Sequence, residues 1–279
     1  MLTRRLVLAS SAALFLSPRL AHAAEDLVLP LDLSGPRPAL RVAVGAGPEQ
    51  LWVFDTGAMG GVVDIALAQA WGLPNLGAAR VGSPAGGTPV EGFRTRVAGA
   101  STGGVALPEF TAVAMPFPSH VGVGVLSPNM FAGHLVSLDL ARAELRVSDR
   151  AGEPPANATP YTGSHPLPAI PVTVAGQTHL AHMDTGAPRG VTFPYELAAS
   201  LPLAAPPERA GMARFVDGEH PRYEARVAGE VQVGPITLAD PRIDLIDGLP
   251  FVNVGGEVLR QMTITLDPER HLAWTQANG

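Results

Sequence analysis

The pattern of apolar and polar residues along the chain predicts a mostly β protein. Apolar and polar positions alternate with a period of two in segments such as residues 172–174 and 180–183, as they do in half-buried strands. Residues 39–57 and 169–186 each contain two short strands around a turn, and both hairpins end in the same motif, Asp-Thr-Gly. Short strands joined by tight turns are therefore the expected building unit.

Two more hairpins and a few short helices are expected. Residues 136–147 and 264–275 read as hairpins with polar turns after Asp139 and Asp267, which we interpret as turn-capping residues. The helical segments come in two pairs, with one member of each pair in each half: about Val62–Trp71 with Tyr195–Leu201, and Asn129–Phe131 with Glu257–Met262. Each half is thus predicted to be mostly β with one or two short helices.

The second half of the chain repeats the first at a nearly constant spacing. The Asp-Thr-Gly motif that begins at Asp55 recurs at Asp184, an offset of 129 residues (184 − 55). Two further segment pairs keep offsets of 130 and 128: residues 96–110 with 226–240, and residues 134–147 with 262–275. Three matching blocks in one order indicate a duplication, and halves of this length predict two lobes related by a pseudo-twofold axis.

The first 23 residues have the three parts of an export signal. Two arginines precede an apolar run over residues 6–16, and residues 21–23 (Ala-His-Ala) form a small-x-small cleavage site. Paired arginines also fit a twin-arginine signal. We therefore expect a periplasmic or secreted protein, with no segment in the mature chain long enough to cross a membrane.

Between the two halves, residues 150–168 are rich in Pro, Gly, Ser and Thr and show no hydrophobic period, which is typical of a linker. The predicted organisation is a signal peptide (1–23), an N-terminal lobe (24–149), this linker (150–168) and a C-terminal lobe (169–279).

Charge and cysteine content exclude several classes of function. The signal holds three of the 19 basic residues and none of the 25 acidic ones, so the mature chain carries a net charge of 16 − 25 = −9. This charge argues against nucleic acid or anionic lipid as a partner, since both require a basic surface. The chain has no cysteine, which excludes disulfides, thiolate nucleophiles and cysteine metal sites.

The two Asp-Thr-Gly segments are the candidate chemistry. One copy at a strand end is most simply a turn, because Asp and Gly favour turns. A pseudo-twofold axis, however, can bring two equivalent loops face to face, and two touching carboxyls would share one proton. The ionised carboxyl could then accept a proton from water while the other donates to a carbonyl oxygen. Thr56 and Thr185 could lock the opposite loops together, and Gly57 and Gly186 could allow backbone N–H groups close to the carboxyls.

These features resemble the retropepsin-like aspartic proteases, in the bacterial form that fuses two lobes in one chain and is similar in plan to pepsin. The resemblance covers residues 28–276. It rests on the Asp-Thr-Gly-Ala motifs at 55–58 and 184–187, a later Gly-rich stretch, an apolar-Gly segment before a short helix, and a closing hairpin. It implies two β-barrel lobes, and flap hairpins near 81–90 and 215–221.

Residue by residue, the resemblance implies a catalytic dyad of Asp55 and Asp184. The residues that would support this dyad are Thr56, Gly57, Ala58, Thr185, Gly186 and Ala187. Both motifs end in Ala, where pepsin-type lobes carry a hydroxyl that favours the charged carboxylate, so we expect a dyad less acidic than that of pepsin. The first half also departs from the family pattern at Ser127-Pro128, where a glycine is usual, which puts the following helix in question.

The resulting hypothesis is an exported aspartic endopeptidase that acts as a monomer on peptide or protein substrates. It requires no metal and no cofactor. His179 and His182 lie before Asp184, but without a clear third ligand they are weak candidates for a metal site. Two alternatives stay open: a catalytically inactive relative that binds peptides, and a structural β-protein of the cell envelope.

Overall fold

The computed structural model describes residues 26–83, 85–150, 152–161, 167–216 and 218–278. The predicted signal peptide and part of the predicted linker lie outside this range. Within it, β-strands predominate and the few helices are short. The predicted mostly β class is therefore confirmed.

The strands of the first half and of the segment that follows it are β1 (Leu27–Pro30), β2 (Ala39–Val44), β3 (Gln50–Phe54), β4 (Gly61–Asp64), β5 (Ala78–Val81), β6 (Val90–Val97), β7 (Ala100–Thr102), β8 (Val105–Ala106), β9 (Phe110–Met115), β10 (Gly124–Leu126), β11 (His134–Asp139), β12 (Glu144–Asp149) and β13 (Thr159–Pro160). The strands of the second half are β14 (Ala169–Val174), β15 (Gln177–Asp184), β16 (Val191–Pro194), β17 (Glu208–Phe215), β18 (Gly218–Arg226), β19 (Glu230–Val233), β20 (Ile236–Ala239), β21 (Arg242–Ile246), β22 (Val252–Gly255), β23 (Met262–Asp267) and β24 (Leu272–Ala277). The α-helices are α1 (Ile65–Ala70) and α2 (Gly256–Leu259), and the 3₁₀ helices are Pro128–Phe131 and Tyr195–Ser200.

The two halves have the same topology. The first forms a nine-stranded sheet in the order β5-β6-β9-β4-β10-β3-β2-β7-β8, and the second forms one in the order β17-β18-β21-β16-β22-β15-β14-β19-β20. Each strand of the first sheet has the same place as the strand numbered twelve higher in the second sheet. The duplicated sequence thus folds into two equivalent lobes.

A third sheet joins the lobes. It has six strands in the order β1-β12-β11-β23-β24-β13, so that β11 of the first half pairs antiparallel with β23 of the second. The hydroxyls of Ser137 and Thr265 lie opposite each other in this pair, 2.9 Å apart. The segment interpreted as a linker contributes β13, and Tyr161 directly after it is buried. The two lobes are therefore hydrogen-bonded through their own backbones.

Helix α1 begins later than its sequence predicted. The Asp64 carboxylate accepts hydrogen bonds from the N–H groups of Ala66 and Leu67, which caps the helix at its first turn. Val62 and Val63, which the prediction placed in the helix, belong to β4. In the second half Met262, also predicted as helical, begins β23. Apolar residues at a strand–helix junction fit both periods, so the sequence alone misplaced these boundaries.

A tight turn positions the strand that carries Asp184. Ala175 and Gly176 join β14 to β15, and both have positive φ, 49° and 75°, as the two central residues of a type I′ turn require. The turn fixes the register of the hairpin, so that Asp184 is the last residue of β15 at the lobe interface. In the described part of the chain, no helix has the length and apolarity to span a bilayer.

Candidate active site

Asp55 and Asp184 occupy equivalent positions at the ends of central strands. Asp55 directly follows β3, which pairs in parallel with β10, and Asp184 ends β15, which pairs in parallel with β22. The Asp55 N–H donates to the carbonyl of Leu126 at 2.9 Å, so the neighbouring strand holds the loop at its start. The two carboxyl groups are hydrogen-bonded to each other. The structure thus brings together two acids that are 129 residues apart in the chain.

Thr56 and Thr185 interlock the two loops beneath the acids. Each hydroxyl donates to a backbone carbonyl of the other lobe, Thr56 to Met183 at 2.6 Å and Thr185 to Phe54 at 2.7 Å. Each hydroxyl also accepts the backbone N–H of the other threonine at 3.1 Å. Both threonines are fully buried. The four reciprocal bonds fix the position of one loop relative to the other.

Gly57 and Gly186 leave the space that the acids occupy. A Cβ atom on Gly57 would lie 2.8 Å from Cγ of Asp184, and one on Gly186 would lie 2.6 Å from Cγ of Asp55. Each glycine thus packs against the acid of the opposite lobe. The Gly57 N–H also donates to Oδ1 of Asp55 at 2.7 Å. Both loops need glycine because the acid of the opposite lobe approaches so closely, and not because the backbone has a positive φ.

The acids have perturbed protonation. Burial in the lobe interface raises the pKa of Asp55, and the negative charge of Asp184 beside it raises that pKa further. Burial also raises the pKa of Asp184, whereas hydrogen bonds from Asn253 and the backbone N–H of Ala187 oppose this increase. The pair is therefore suited to share one proton.

Comparison with known protein families agrees with this geometry. A family model for aspartyl proteases matches residues 40–131 and 170–267, once in each lobe and over more than half of the chain. The chain belongs to the aspartyl protease family. Membership supports a hydrolase of the peptidase type, and two matching regions fit the two-lobe arrangement predicted from the repeat. No curated protein matches the chain with significant similarity.

Replacing Gly186 with Ala is expected to damage this candidate site. The added methyl would overlap the Asp55 carboxyl, so either the acid or the loop must move by several tenths of an ångström or more. Misplacement on the order of 1 Å can cost about 100-fold in rate, and we expect a loss of that size together with a lower melting temperature. Kinetic assays and thermal unfolding would measure both.

Gly190→Ala is the matched control for this change. Gly190 lies in the same loop, and its added Cβ would be 3.6 Å from the nearest atom, Oε2 of Glu257, an ordinary contact. We expect this variant to resemble the wild type. Equal behaviour of the two variants would contradict the close-approach explanation.

Ala58 and Ala187 have different roles in the two loops. The Ala187 N–H donates to Oδ1 of Asp184 at 2.9 Å, whereas the Ala58 N–H approaches only the backbone oxygen of Asp55, at 3.4 Å. The two motifs are identical in sequence from Asp to Ala, but their acids have different donors. The site is thus symmetric in its backbone and asymmetric in its hydrogen bonds.

The Ser127-Pro128 departure has a structural explanation. In the second lobe, the N–H of Gly256 donates to the carbonyl of Ala187 at 2.7 Å. Pro128 occupies the equivalent position in the first lobe and has no N–H. The Ser127 hydroxyl donates to the carbonyl of Ala58 instead, also at 2.7 Å. The helix questioned at this point is a 3₁₀ helix over Pro128–Phe131, and the loop carbonyl keeps its donor.

Ser127→Ala is expected to reduce the free energy of unfolding by about 1–2 kcal/mol, because the Ala58 carbonyl loses its partner. In a Pro128→Gly background the same change should cost less, since a main-chain N–H then becomes available at position 128. Urea unfolding of the wild type, the two single variants and the double variant would measure the difference between the two costs. An equal cost in both backgrounds would show that the hydroxyl does not substitute for the missing N–H.

Hairpins lie at both predicted flap positions. In the first lobe β5 and β6 pair Val81 with Val90, and in the second β17 and β18 pair Phe215 with Gly218. The His220 ring bridges between the lobes: Nε2 is 3.0 Å from the carbonyl oxygen of Gly86, and Nδ1 is 3.1 Å from that of Asp247. The second hairpin thus contacts the loop of the first.

Asn253 is a site residue to which the sequence analysis assigned no role. It lies in β22 beside the active-site strand, and its Nδ2 donates to Oδ2 of Asp184 at 3.1 Å. The available signal was a polar residue in an otherwise apolar strand. A polar residue at a half-exposed strand position is common, however, so the sequence did not indicate its contact with an acid 69 positions earlier.

Other residues considered from the sequence have structural roles. Oδ1 of Asp139 accepts the N–H groups of Ala141 and Arg142, and Oδ1 of Asp267 accepts that of Arg270, so both acids cap hairpin turns. The His182 ring packs against the Phe251 ring at a tilt of 36°, with ring centroids 3.8 Å apart. Among the described residues, no group of three or more His, Asp or Glu side chains is arranged to hold a metal ion.

Proposed function

We propose that the protein is an aspartic endopeptidase that hydrolyses peptide bonds with a water molecule activated by Asp55 and Asp184. The observation that carries this proposal is the pair of hydrogen-bonded carboxyls at the lobe interface, held by the reciprocal bonds of Thr56 and Thr185. A solvated turn needs neither a buried interlock nor a partner acid. Family membership supports the same chemistry.

In this mechanism the dyad moves protons and forms no covalent intermediate. The ionised carboxylate takes a proton from water, the resulting hydroxide attacks the carbonyl carbon, and the protonated carboxyl donates its proton to the carbonyl oxygen. The tetrahedral intermediate then collapses and its C–N bond breaks. The nitrogen leaves as an amine after receiving a proton from one carboxyl of the dyad, and a hydroxyl of the intermediate returns its proton to the dyad as the product carboxylic acid forms. The pair ends the cycle with one shared proton, as it began.

The proposed substrate is an extended peptide or protein segment beneath the hairpins β5–β6 and β17–β18. Exposed apolar side chains on the active-site loop and on the second hairpin, Met59, Met212 and Val216, support binding of apolar residues there. We further propose that the protein acts as a monomer, because each lobe supplies one acid, and that it works in the periplasm or outside the cell. Neither a metal nor a cofactor is part of the proposal.

A peptide-library digest from pH 3 to pH 8 tests the proposal, with wild type and Asp184→Asn compared at equal concentration. We expect cleavage only by the wild type, at a rate per molecule that does not depend on protein concentration. Peptide binding without cleavage would favour an inactive binding relative, and neither binding nor cleavage would favour a structural protein. Activity that requires self-association would contradict the monomer.

A further inference from the structure

The strands beside the two acids, β10 and β22, differ at one position in whether the side chain can form a hydrogen bond. The β3–β10 register pairs Val53 with Val125, and the β15–β22 register pairs His182 with Asn253. Val53 and His182 each lie two residues before an acid of the dyad, so Val125 and Asn253 are equivalent. Both are partly buried. A donor amide in the second lobe therefore replaces an aliphatic side chain in the first.

This difference changes the hydrogen bonds that the carboxylate of Asp184 accepts. Oδ2 of Asp184 accepts from Nδ2 of Asn253 at 3.1 Å, while Oδ1 accepts from the N–H of Ala187 at 2.9 Å. The side chain of Val125 has no donor to offer to Asp55. Both carboxylate oxygens of Asp184 thus accept a hydrogen bond from their own lobe, and one of these bonds comes from a side chain that the other lobe lacks.

An amide nitrogen can only donate, which gives this contact a direction. Donation to an ionised carboxylate is stronger than donation to a neutral carboxyl group. The Asn253 amide consequently stabilises the state in which Asp184 is ionised, and the proton shared by the pair is then on Asp55. In a symmetric dyad, neither acid would be favoured.

We propose that Asn253 is a positioning residue that breaks the symmetry of the dyad, so that Asp184 is the base for the attacking water and Asp55 is the acid that protonates the substrate carbonyl. This inference rests on the proposed function. Asn253 acts through Asp184, and the assignment of the two roles follows from the hydrogen bond and from its absence at Val125.

Substituting Asn253 with Val reproduces the first lobe and tests the proposal. We expect the acid limb of the pH profile of kcat/KM to move up by about one pH unit, because the ionised carboxylate loses one donor. At pH values below this limb, the rate should fall about 10-fold relative to the wild type, with little change at higher pH. A residue that only supported packing would lower activity equally at every pH.

The swap variant Asn253→Val with Val125→Asn is the matched control. It moves the donor to Asp55 and should bring the acid limb back towards its wild-type position while exchanging the roles of the two acids. Asn253→Leu, which is closer to Asn in shape, provides a second test if the Val variant does not fold. An unchanged acid limb in a folded variant would overturn the proposal.

Carboxyl ¹³C NMR separates this inference from the proposed function. Titration of ¹³Cγ-labelled aspartates in the full chain, assigned with the Asp55→Asn and Asp184→Asn variants, follows protonation without any substrate. We expect Asp184 to ionise first in the wild type and Asp55 to ionise first in the swap variant. If no peptide is cleaved but this order holds, the asymmetry stands and the proposed function fails. If peptides are cleaved but the order does not depend on position 253, the role of Asn253 is wrong.

Discussion

Replacing either Asp55 or Asp184 with Asn is expected to lower kcat/KM about a thousandfold or more while the protein stays folded. Asn matches Asp in shape but cannot take a proton from water or hold the proton that the pair shares. General acid–base contributions of 10²- to 10⁴-fold per group set the scale, and each acid is needed in every cycle. Steady-state assays on a cleaved library peptide would measure the loss.

Asp139→Asn is the matched control for these variants. Asp139 belongs to another duplicated pair of acids, together with Asp267, but its carboxylate caps a hairpin turn. We expect its activity to stay within a few-fold of the wild type. Comparable losses in Asp139→Asn and Asp55→Asn would indicate that the dyad variants fail through folding and not through chemistry.

The Asp55→Asn substitution should also change how the stability of the protein depends on pH. The pKa of Asp55 is raised in the folded protein by burial and by Asp184, so the folded state retains a proton that the unfolded chain releases above its ordinary carboxyl pKa of about 4. Stability therefore falls as pH rises from that value through the raised pKa. Asp55→Asn removes this loss, and its melting temperature relative to the wild type should be higher at pH 7 than at pH 4. A difference that does not depend on pH would contradict the raised pKa.

Replacing Thr185 with Val at the lobe interface is expected to cause a large loss of stability for a single substitution. Val keeps the shape but removes the hydroxyl that donates to Phe54 and accepts from the N–H of Thr56. A buried carbonyl and a buried N–H both lose a partner, at about 1–3 kcal/mol each. We expect the free energy of unfolding to fall by about 2–5 kcal/mol, measured by urea unfolding, and activity to fall with the dyad geometry.

Thr185→Ser separates the hydroxyl from the methyl group, since it keeps both bonds and should cost much less than the Val variant. Because Thr56 and Thr185 form one network, the double Val variant should cost less than the sum of the two single variants. Additive costs, or a Val variant as stable as the Ser variant, would show that the reciprocal bonds do not hold the lobes together.

The fold class followed from the sequence because its signals are local and repeated. Alternating residues in segments such as 172–174 indicated strands, and the constant offset between the halves indicated two equivalent lobes, which the identical order of strands in the two sheets bears out. Helix boundaries were the weakest part. Val62, Val63 and Met262 were placed in helices and lie in strands, because short apolar runs fit either period.

The sequence identified the acids, threonines and glycines of the loops and predicted that the acids meet and that the threonines lock the opposite loops, but it did not identify the other side chains that bond to these loops. Ser127 was recognised only as a departure from the family pattern, since its role depends on the N–H that Pro128 lacks and on a carbonyl 69 positions away. Asn253 was assigned no role from the sequence. Its importance depends on strand register, which places it beside one acid.

Sequence alone thus determined which residues recur and which kinds of strand and turn they form, because these depend on side-chain patterns within a few positions. Only the tertiary structure decided that each glycine faces the acid of the other lobe, that the threonines bond reciprocally, and that one acid has a donor that the other lacks. The halves share a motif and a topology, and packing makes their electrostatics unequal. Hydrogen bonds act over about 3 Å in space, and the distance between their partners along the chain does not reveal them.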